Sequence, residues 1–156
     1  MIDLHFRLAT VAVAAQLTAV YRSAFRENRR LGIPHIEERV SERQVANWIR
    51  QHTLYVAMNE SDVIGGVRLD ECDSDRVKLS RLAVHERWKQ KGVGGQLLDY
   101  TESQARDSGY TTIWLKTPAA HPYLPEMYRQ RGYDQTGTAL GEQHEVDFVT
   151  MEKELR

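Results

Sequence analysis

The sequence predicts an α/β (α+β) fold: a mixed, mostly antiparallel central sheet of about seven strands with helices on both faces, in the order βααβββαβαββ. Three observations carry this. Apolar residues alternate through Thr53–Met58, Val63–Leu69 and Val77–Val84, three strand-length runs joined by polar links, which describes an antiparallel meander. Directly after Val84 the period lengthens to that of a helix and then returns to a strand, the pattern of a β-α-β crossover between parallel strands. A chain of 156 residues, 41% of them hydrophobic, also suffices for one core, so residues 1–156 are expected to form a single domain.

Each element has its own signal. Leu4 to Leu8 alternates like a short strand. Thr10 stands where it would cap a helix running to about Asn28, in which Leu17, Val20, Tyr21 and Ala24 recur at helical spacing. Gly32 and Pro34 break that pattern, and Ser41 to Gln51 predicts a second helix with Val45, Trp48 and Ile49 on one face. In the meander, Glu60-Ser61-Asp62 makes the first turn and Asp70 to Arg76 the second link. Val93, Leu97, Leu98, Thr101 and Ala105 share one face of a third helix, which Gly109 ends. Thr112 to Leu115 predicts a strand, and Tyr123 to Gln130 a short helix stopped by Gly132. Tyr133–Leu140 and Val146–Met151 form the closing pair.

Composition excludes several classes of function. The 21 Lys and Arg against 22 Asp and Glu leave a net charge of −1, which fits neither an acidic disordered chain nor a broadly basic nucleic-acid binder. The single Cys72 supplies neither an intramolecular disulfide nor a Cys-rich zinc site, so no metal is expected and a reducing, cytoplasmic compartment is the simpler reading. Val11 to Val20 resembles the apolar stretch of a signal peptide, but Asp3 occupies the region where positive charge is expected. Gln16 and Thr18 interrupt the run, and no apolar segment reaches the roughly 18 residues of a membrane span.

The most informative stretch joins a strand, Leu82-Ala83-Val84, through a basic loop to a glycine-led helix at Gly92-Val93-Gly94-Gly95. Free N–H groups at a helix start favour an anion, and glycines let a phosphate approach the backbone. Between Arg76 and Lys91 there are six basic residues and one acid, a local charge of +5. Gly95-Gln96-Leu97 lacks the Lys-Ser/Thr of a Walker loop, and Gly92-Val93-Gly94-Gly95-Gln96-Leu97 lacks the last glycine of a dinucleotide fingerprint. A tight strand-to-helix turn would equally explain a lone glycine pair.

The surroundings resemble the coenzyme A signature of the GNAT superfamily of N-acetyltransferases, Arg/Gln-x-x-Gly-x-Gly/Ala after a Leu-x-Val strand. Here it reads Lys89-Gln90-Lys91-Gly92-Val93-Gly94 after Leu82-Ala83-Val84, with Lys in place of the family's Arg or Gln. Met127-Tyr128-Arg129-Gln130-Arg131-Gly132-Tyr133 resembles the family's last-helix pattern, and the element order matches over almost the entire chain. The resemblance implies acetyl-coenzyme A as acyl donor and co-substrate, with direct transfer to an amine. It implies strands that part after Leu82-Ala83-Val84, Leu82 and Val84 bonding the pantetheine and thioester, and Lys89, Gln90, Lys91, Gly92, Val93, Gly94 and Gly95 around the pyrophosphate. It also implies Tyr128 as proton donor to the leaving thiolate, although burial in a core would explain that residue too.

The general base stays open. Where family members often carry a Glu, this sequence has Lys78. Asp70 and Glu71 at the end of the preceding strand are candidates, although a solvated hairpin would also explain them. His121 stands where many members have an Asn, and its reference pKa suits proton relay, while a satisfied loop histidine is an equal explanation. Cys72 lacks partners for a nucleophile.

For the acceptor, Arg22 to Arg50 holds seven Arg against four Glu, which fits an anionic group. Glu60–Asp75 and Asp134–Arg156 each hold six acids, which fits a cationic amine; both kinds of run also occur as solvated faces. The expected partners are acetyl-coenzyme A and an amine acceptor, with no nucleic acid or membrane and a monomeric or homodimeric state. A non-catalytic acyl-coenzyme A-binding module on the same fold is the alternative.

Overall fold

The computed structural model describes residues 3–32, 39–140 and 147–155. Pro34, Glu37 and Glu38 of the interhelical segment, Glu142, Glu145 and Val146 of the closing hairpin, and Arg156 lie outside the described residues. The strands are β1 (Leu4–Leu8), β2 (Thr53–Asn59), β3 (Asp62–Glu71), β4 (Arg76–Val84), β5 (Thr112–Pro118), β6 (Asp134–Leu140) and β7 (Asp147–Glu154). They form one sheet in the order β1-β2-β3-β4-β5-β7-β6, in which β4 and β5 are parallel and every other neighbouring pair is antiparallel.

Helices α1 (Ala14–Arg30) and α2 (Glu42–Gln51) cover one face, while α3 (Val93–Asp107) and α4 (Leu124–Gln130) cover the other. The core therefore has two halves. Leu17, Val20 and Tyr21 of α1 pack with Val45 of α2 and with Leu54, Val56 and Ala83 of the sheet. On the opposite face Val93, Leu97, Leu98 and Ala105 of α3, all within 1% of complete burial, pack on Val67, Leu79, Ile113 and Leu115. This is the face that the helical period marks in the sequence, and at roughly 1.5–3 kcal/mol per fully buried aliphatic side chain it anchors the crossover.

Local chemistry sets the element ends. Thr10 does not cap α1 with its side chain: Val11–Val13 forms a 3-10 turn first, and the Thr10 carbonyl accepts from the Val13 N–H at 3.0 Å. The Val11–Val20 stretch thus contributes Val13, Ala14, Leu17 and Val20 to the core. Helix α2 begins with a capping box the sequence reading missed. Ser41 Oγ accepts from the Gln44 N–H at 3.1 Å, and the Gln44 side chain accepts from the Ser41 N–H at 2.9 Å. Strand β5 runs three residues beyond Leu115, because Lys116, Thr117 and Pro118 keep register with Thr150, Val149 and Phe148 of β7. Among the described residues, no helix is long and apolar enough to cross a membrane.

Candidate active site

The two central strands are paired over three residues only: Arg76 with Thr112, Val77 with Ile113 and Lys78 with Trp114. Beyond Lys78, β4 stays with β3 and β5 stays with β7, so a V-shaped gap opens earlier than the expected position after Val84. Leu82, Ala83 and Val84 lie well inside it. A bulge aims their backbone. Arg81 and Leu82 together oppose Val67, and Arg81 adopts φ +56°, in the left-handed region. The His85 N–H donates to the Ile64 carbonyl on β3 at 2.9 Å, so by strand alternation the N–H and C=O of Val84, and of Leu82 two residues back, point away from β3 into the gap.

The loop after β4 is tied down. Glu86 N–H donates to Ser23 Oγ of α1 at 2.9 Å, and His85 Nδ1 accepts from the Arg87 N–H at 3.2 Å. Gln90 at φ +63° and Gly92 at φ +79° turn the chain into α3, and glycine takes this left-handed conformation without Cβ strain. Val93, Gly94 and Gly95 fall in the first turn, whose N–H groups have no intrahelical acceptor. The bare Gly95 is not simply an opening for phosphate. A Cβ there would collide with the Arg131 guanidinium, which lies over this turn and pairs with Asp99 at 2.5 Å. Arg131 thus adds a cation to the loop that the motif alone does not reveal. Lys89 turns away from it: Nζ stands 3.3 Å from Tyr123 Oη and 3.5 Å from Glu27 Oε2, while Tyr123 donates to Glu27 at 2.5 Å. The side chain of Lys89 therefore bridges α1 to the segment before α4, whereas Lys91 is exposed.

Tyr128 sits on α4 within the same buried cluster as Val84 and Leu115, the strands that bound the gap. Its ring meets Tyr133 edge-on at 5.5 Å, and its hydroxyl makes no hydrogen bond among the described residues. Burial raises its pKa above the ordinary phenol value, so the group stays protonated at neutral pH. His121 is buried and caps α4, its Nδ1 accepting from the N–H groups of Tyr123 at 3.3 Å and Leu124 at 3.2 Å. Its proton is therefore on Nε2. Burial, and secondarily the Lys89 ammonium, push its pKa down to about 4 against the opposing effect of Glu27. A histidine held neutral with Nδ1 engaged is a donor, so the expected base or relay role does not fit it. Its Nε2 and the Thr117 Oγ1 on β5 are enclosed and without a hydrogen-bond partner among the described residues.

The other candidate base is displaced. Glu71 is exposed and lies opposite Val77, at the paired end of β4, where it lines a surface cleft of about 520 Å³ with Arg50 and Tyr110. Five residues of strand, roughly 15 Å, separate that level from Leu82, so the structure does not bring Glu71 to the gap. Asp70 points to the opposite face and is already engaged: it accepts from Arg68 Nε at 2.6 Å and Ser80 Oγ at 3.3 Å, with His52 Nδ1 at 3.1 Å. Cys72 is exposed in the β3–β4 link. No group of three or more metal-binding side chains occurs among the described residues.

Comparison with known proteins bears on the fold and the family. Residues 25–155 match the family described as an acetyltransferase (GNAT) domain. An S-alkylcysteine N-acetyltransferase of Bacillus subtilis (strain 168) is 32% identical over 149 residues, covering 86% of this chain and 80% of that protein. An S-(2-succino)cysteine N-acetyltransferase of the same organism is 29% identical over 166 residues, covering 97% and 96%. Among solved structures, the PaiA N-acetyltransferase from Thermoplasma acidophilum in complex with coenzyme A superposes with a TM-score of 0.84 at 21% identity, over 97% of this chain and 99% of that one.

Proposed function

Because the chain belongs to the GNAT acetyltransferase family, and is an acetyl-coenzyme A-dependent acetyltransferase, we propose that it transfers the acetyl group directly to the primary amine of a small amino acid of the S-substituted cysteine type. The observation that carries this reading is the parted β4/β5 pair, with the backbone of Leu82 and Val84 facing the gap and the α3 N-terminus at its end.

In this reading the loop and first-turn N–H groups from Gln90 to Gly95, with Arg131 beside them, hold the pyrophosphate, and the thioester supplies an activated acyl carbon. N–H groups of the free β4 edge would stabilise the oxyanion as the amine nitrogen attacks. The carbon–nitrogen bond forms, the carbon–sulfur bond breaks, and the leaving sulfur takes the Tyr128 phenolic proton. The proton lost by the amine goes to solvent, since neither Glu71 nor His121 is disposed to accept it, and Tyr128 regains its proton from solvent before the next turnover.

The test is thiol release from acetyl-coenzyme A by the native chain against S-substituted cysteines, other amino acids, polyamines, aminoglycosides and peptides. Turnover of the cysteine derivatives is the expected result. Coenzyme binding without turnover of any amine would instead favour a non-catalytic binding module, and no coenzyme binding would refute the reading altogether.

A further inference from the structure

The face of the sheet under α1 and α2, across β4 from the α3 side, carries a group of side chains that acetyl transfer does not use. Arg68 on β3 is mostly buried, its side chain 14% exposed. Its Nε donates to Asp70, and its guanidinium lies 5.4 Å from the centre of the Trp48 ring. One edge and one face of the guanidinium are thereby fixed, while the two terminal nitrogens make no hydrogen bond among the described residues. Arg81, the bulge residue of β4, lies over the same Trp48 ring at 5.2 Å. Between α1 and these arginines stands Tyr21, fully buried, its hydroxyl enclosed and without a hydrogen-bond partner among the described residues. The Tyr21 ring meets the Trp48 ring edge-on at 5.7 Å, beside the two guanidinium groups that lie over it.

A planar guanidinium with its Nε anchored, its plane stacked and its two terminal donors unused is built to receive two oxygens side by side. The local charge agrees. Lys78 lies near Arg81, and burial first, then nearby Lys116 and Arg81, disfavour its ammonium against the opposing effect of Asp70. Lys78 is opposite Asp70, and Arg68 is opposite Ser80, two residues or roughly 6 Å of strand from Leu82. In an α-amino acid one carbon separates amine and carboxylate, so a carboxylate held by Arg68 would keep the nitrogen on this side of the sheet.

We propose that Arg68, oriented by Asp70 and Trp48 and assisted by Arg81 and the Tyr21 hydroxyl, binds the α-carboxylate of the acceptor, so that the enzyme selects free amino acids over their esters, amides and carboxylate-free amines. The assignment rests on the acetyl-transfer reading above and deepens it. Intrinsic reactivity runs the other way: the amine of an ester or amide loses its proton more readily than that of the free acid, so a preference for the acid must come from the protein.

The test compares S-methylcysteine with its methyl ester and its carboxamide as acceptors for the native chain at saturating acetyl-coenzyme A. The acid is expected to be favoured by roughly 10- to 100-fold in kcat/KM, mostly through KM, as for loss of a charge-assisted pair. Arg68→Gln should collapse that ratio toward one without changing the KM for acetyl-coenzyme A, and Tyr21→Phe should lower it in part. Equal use of acid and amide by the native chain overturns the proposal whether or not the variants fold. So does a well-folded Arg68→Gln chain that keeps the native ratio. Acetylation of polyamines or aminoglycosides but of no amino acid would leave acetyl transfer standing and remove this site. Failure with every amine would remove both.

Discussion

Tyr128→Phe separates a catalytic phenol from a core tyrosine, because the two predict opposite changes in stability and rate. The ring is 4% exposed and keeps its contact with Tyr133 in the variant. Its hydroxyl has no hydrogen-bond partner among the described residues, so its removal breaks no hydrogen bond within them. Removing it should leave stability unchanged or raise it by up to about 1 kcal/mol, a shift in Tm of at most about 2–4 °C for a chain of this size. The rate should move strongly. A positioned general acid contributes roughly 10²–10⁴-fold, so kcat is expected to fall about 100-fold, equivalent to about 2.7 kcal/mol of barrier, with the KM for acetyl-coenzyme A near its native value. Thermal melting and steady-state thiol release on the same preparation give both numbers. A kcat within about twofold of native would show that the leaving sulfur does not need this proton. A Tm several degrees lower would show that the hydroxyl has a partner the structure does not account for.

Two further outcomes follow from packing and titration. Gly66→Ala places a methyl against Leu17 Cδ1, a side chain with no exposed surface, and should cost about 1–3 kcal/mol before a gain of roughly 0.5–1 kcal/mol from a stiffer unfolded chain; Tm should fall, and Leu17→Val in the same chain should restore part of it. For His121, the unfolded chain takes up a proton near pH 6.5 whereas the folded chain resists until about pH 4. Its contribution to stability is therefore complete above pH 6.5 and lost as pH falls through that window, and pH-dependent melting should show a flatter acid limb for His121→Gln.

What could be read from the chain and what could not divides along physical lines. The α3 face, the turn at Gly92 and the place of Tyr128 are local patterns: a helical period, a glycine and a fixed spacing carry them without knowledge of the partner. Thr10 looked like a cap because residue type suggests one, but the chain enters α1 through a 3-10 turn whose hydrogen bond is backbone to backbone. Glu71 and Asp70 are neighbours in sequence, yet strand alternation sends them to opposite faces, and only the register with β4 shows that Glu71 lies at the closed end of the V. The cluster of Arg68, Trp48 and Arg81 needs three elements in register, and His121 announces neither its engaged Nδ1 nor its burial. The parting of β4 from β5 was expected from the family resemblance, but its starting point depends on how long each strand holds its outer neighbour.

The extra residue at Arg81 works like a change of reading frame within a single strand. Val77 and Leu79 before it and Val84 after it all serve the α3 side of the core, although the odd-numbered sequence of inward positions is broken between them. Ala83 is correspondingly handed to the α1 side. Were the strand to keep its length and lose the bulge, plain alternation would exchange the two compartments, sending Val84 toward the arginines and turning the backbone groups that now face the gap back onto β3, whereas deleting the one extra residue would leave Val84 opposite Gly65 as it is now. The bulge, more than the identity of the side chains around it, keeps the backbone of Leu82 and Val84 turned away from β3.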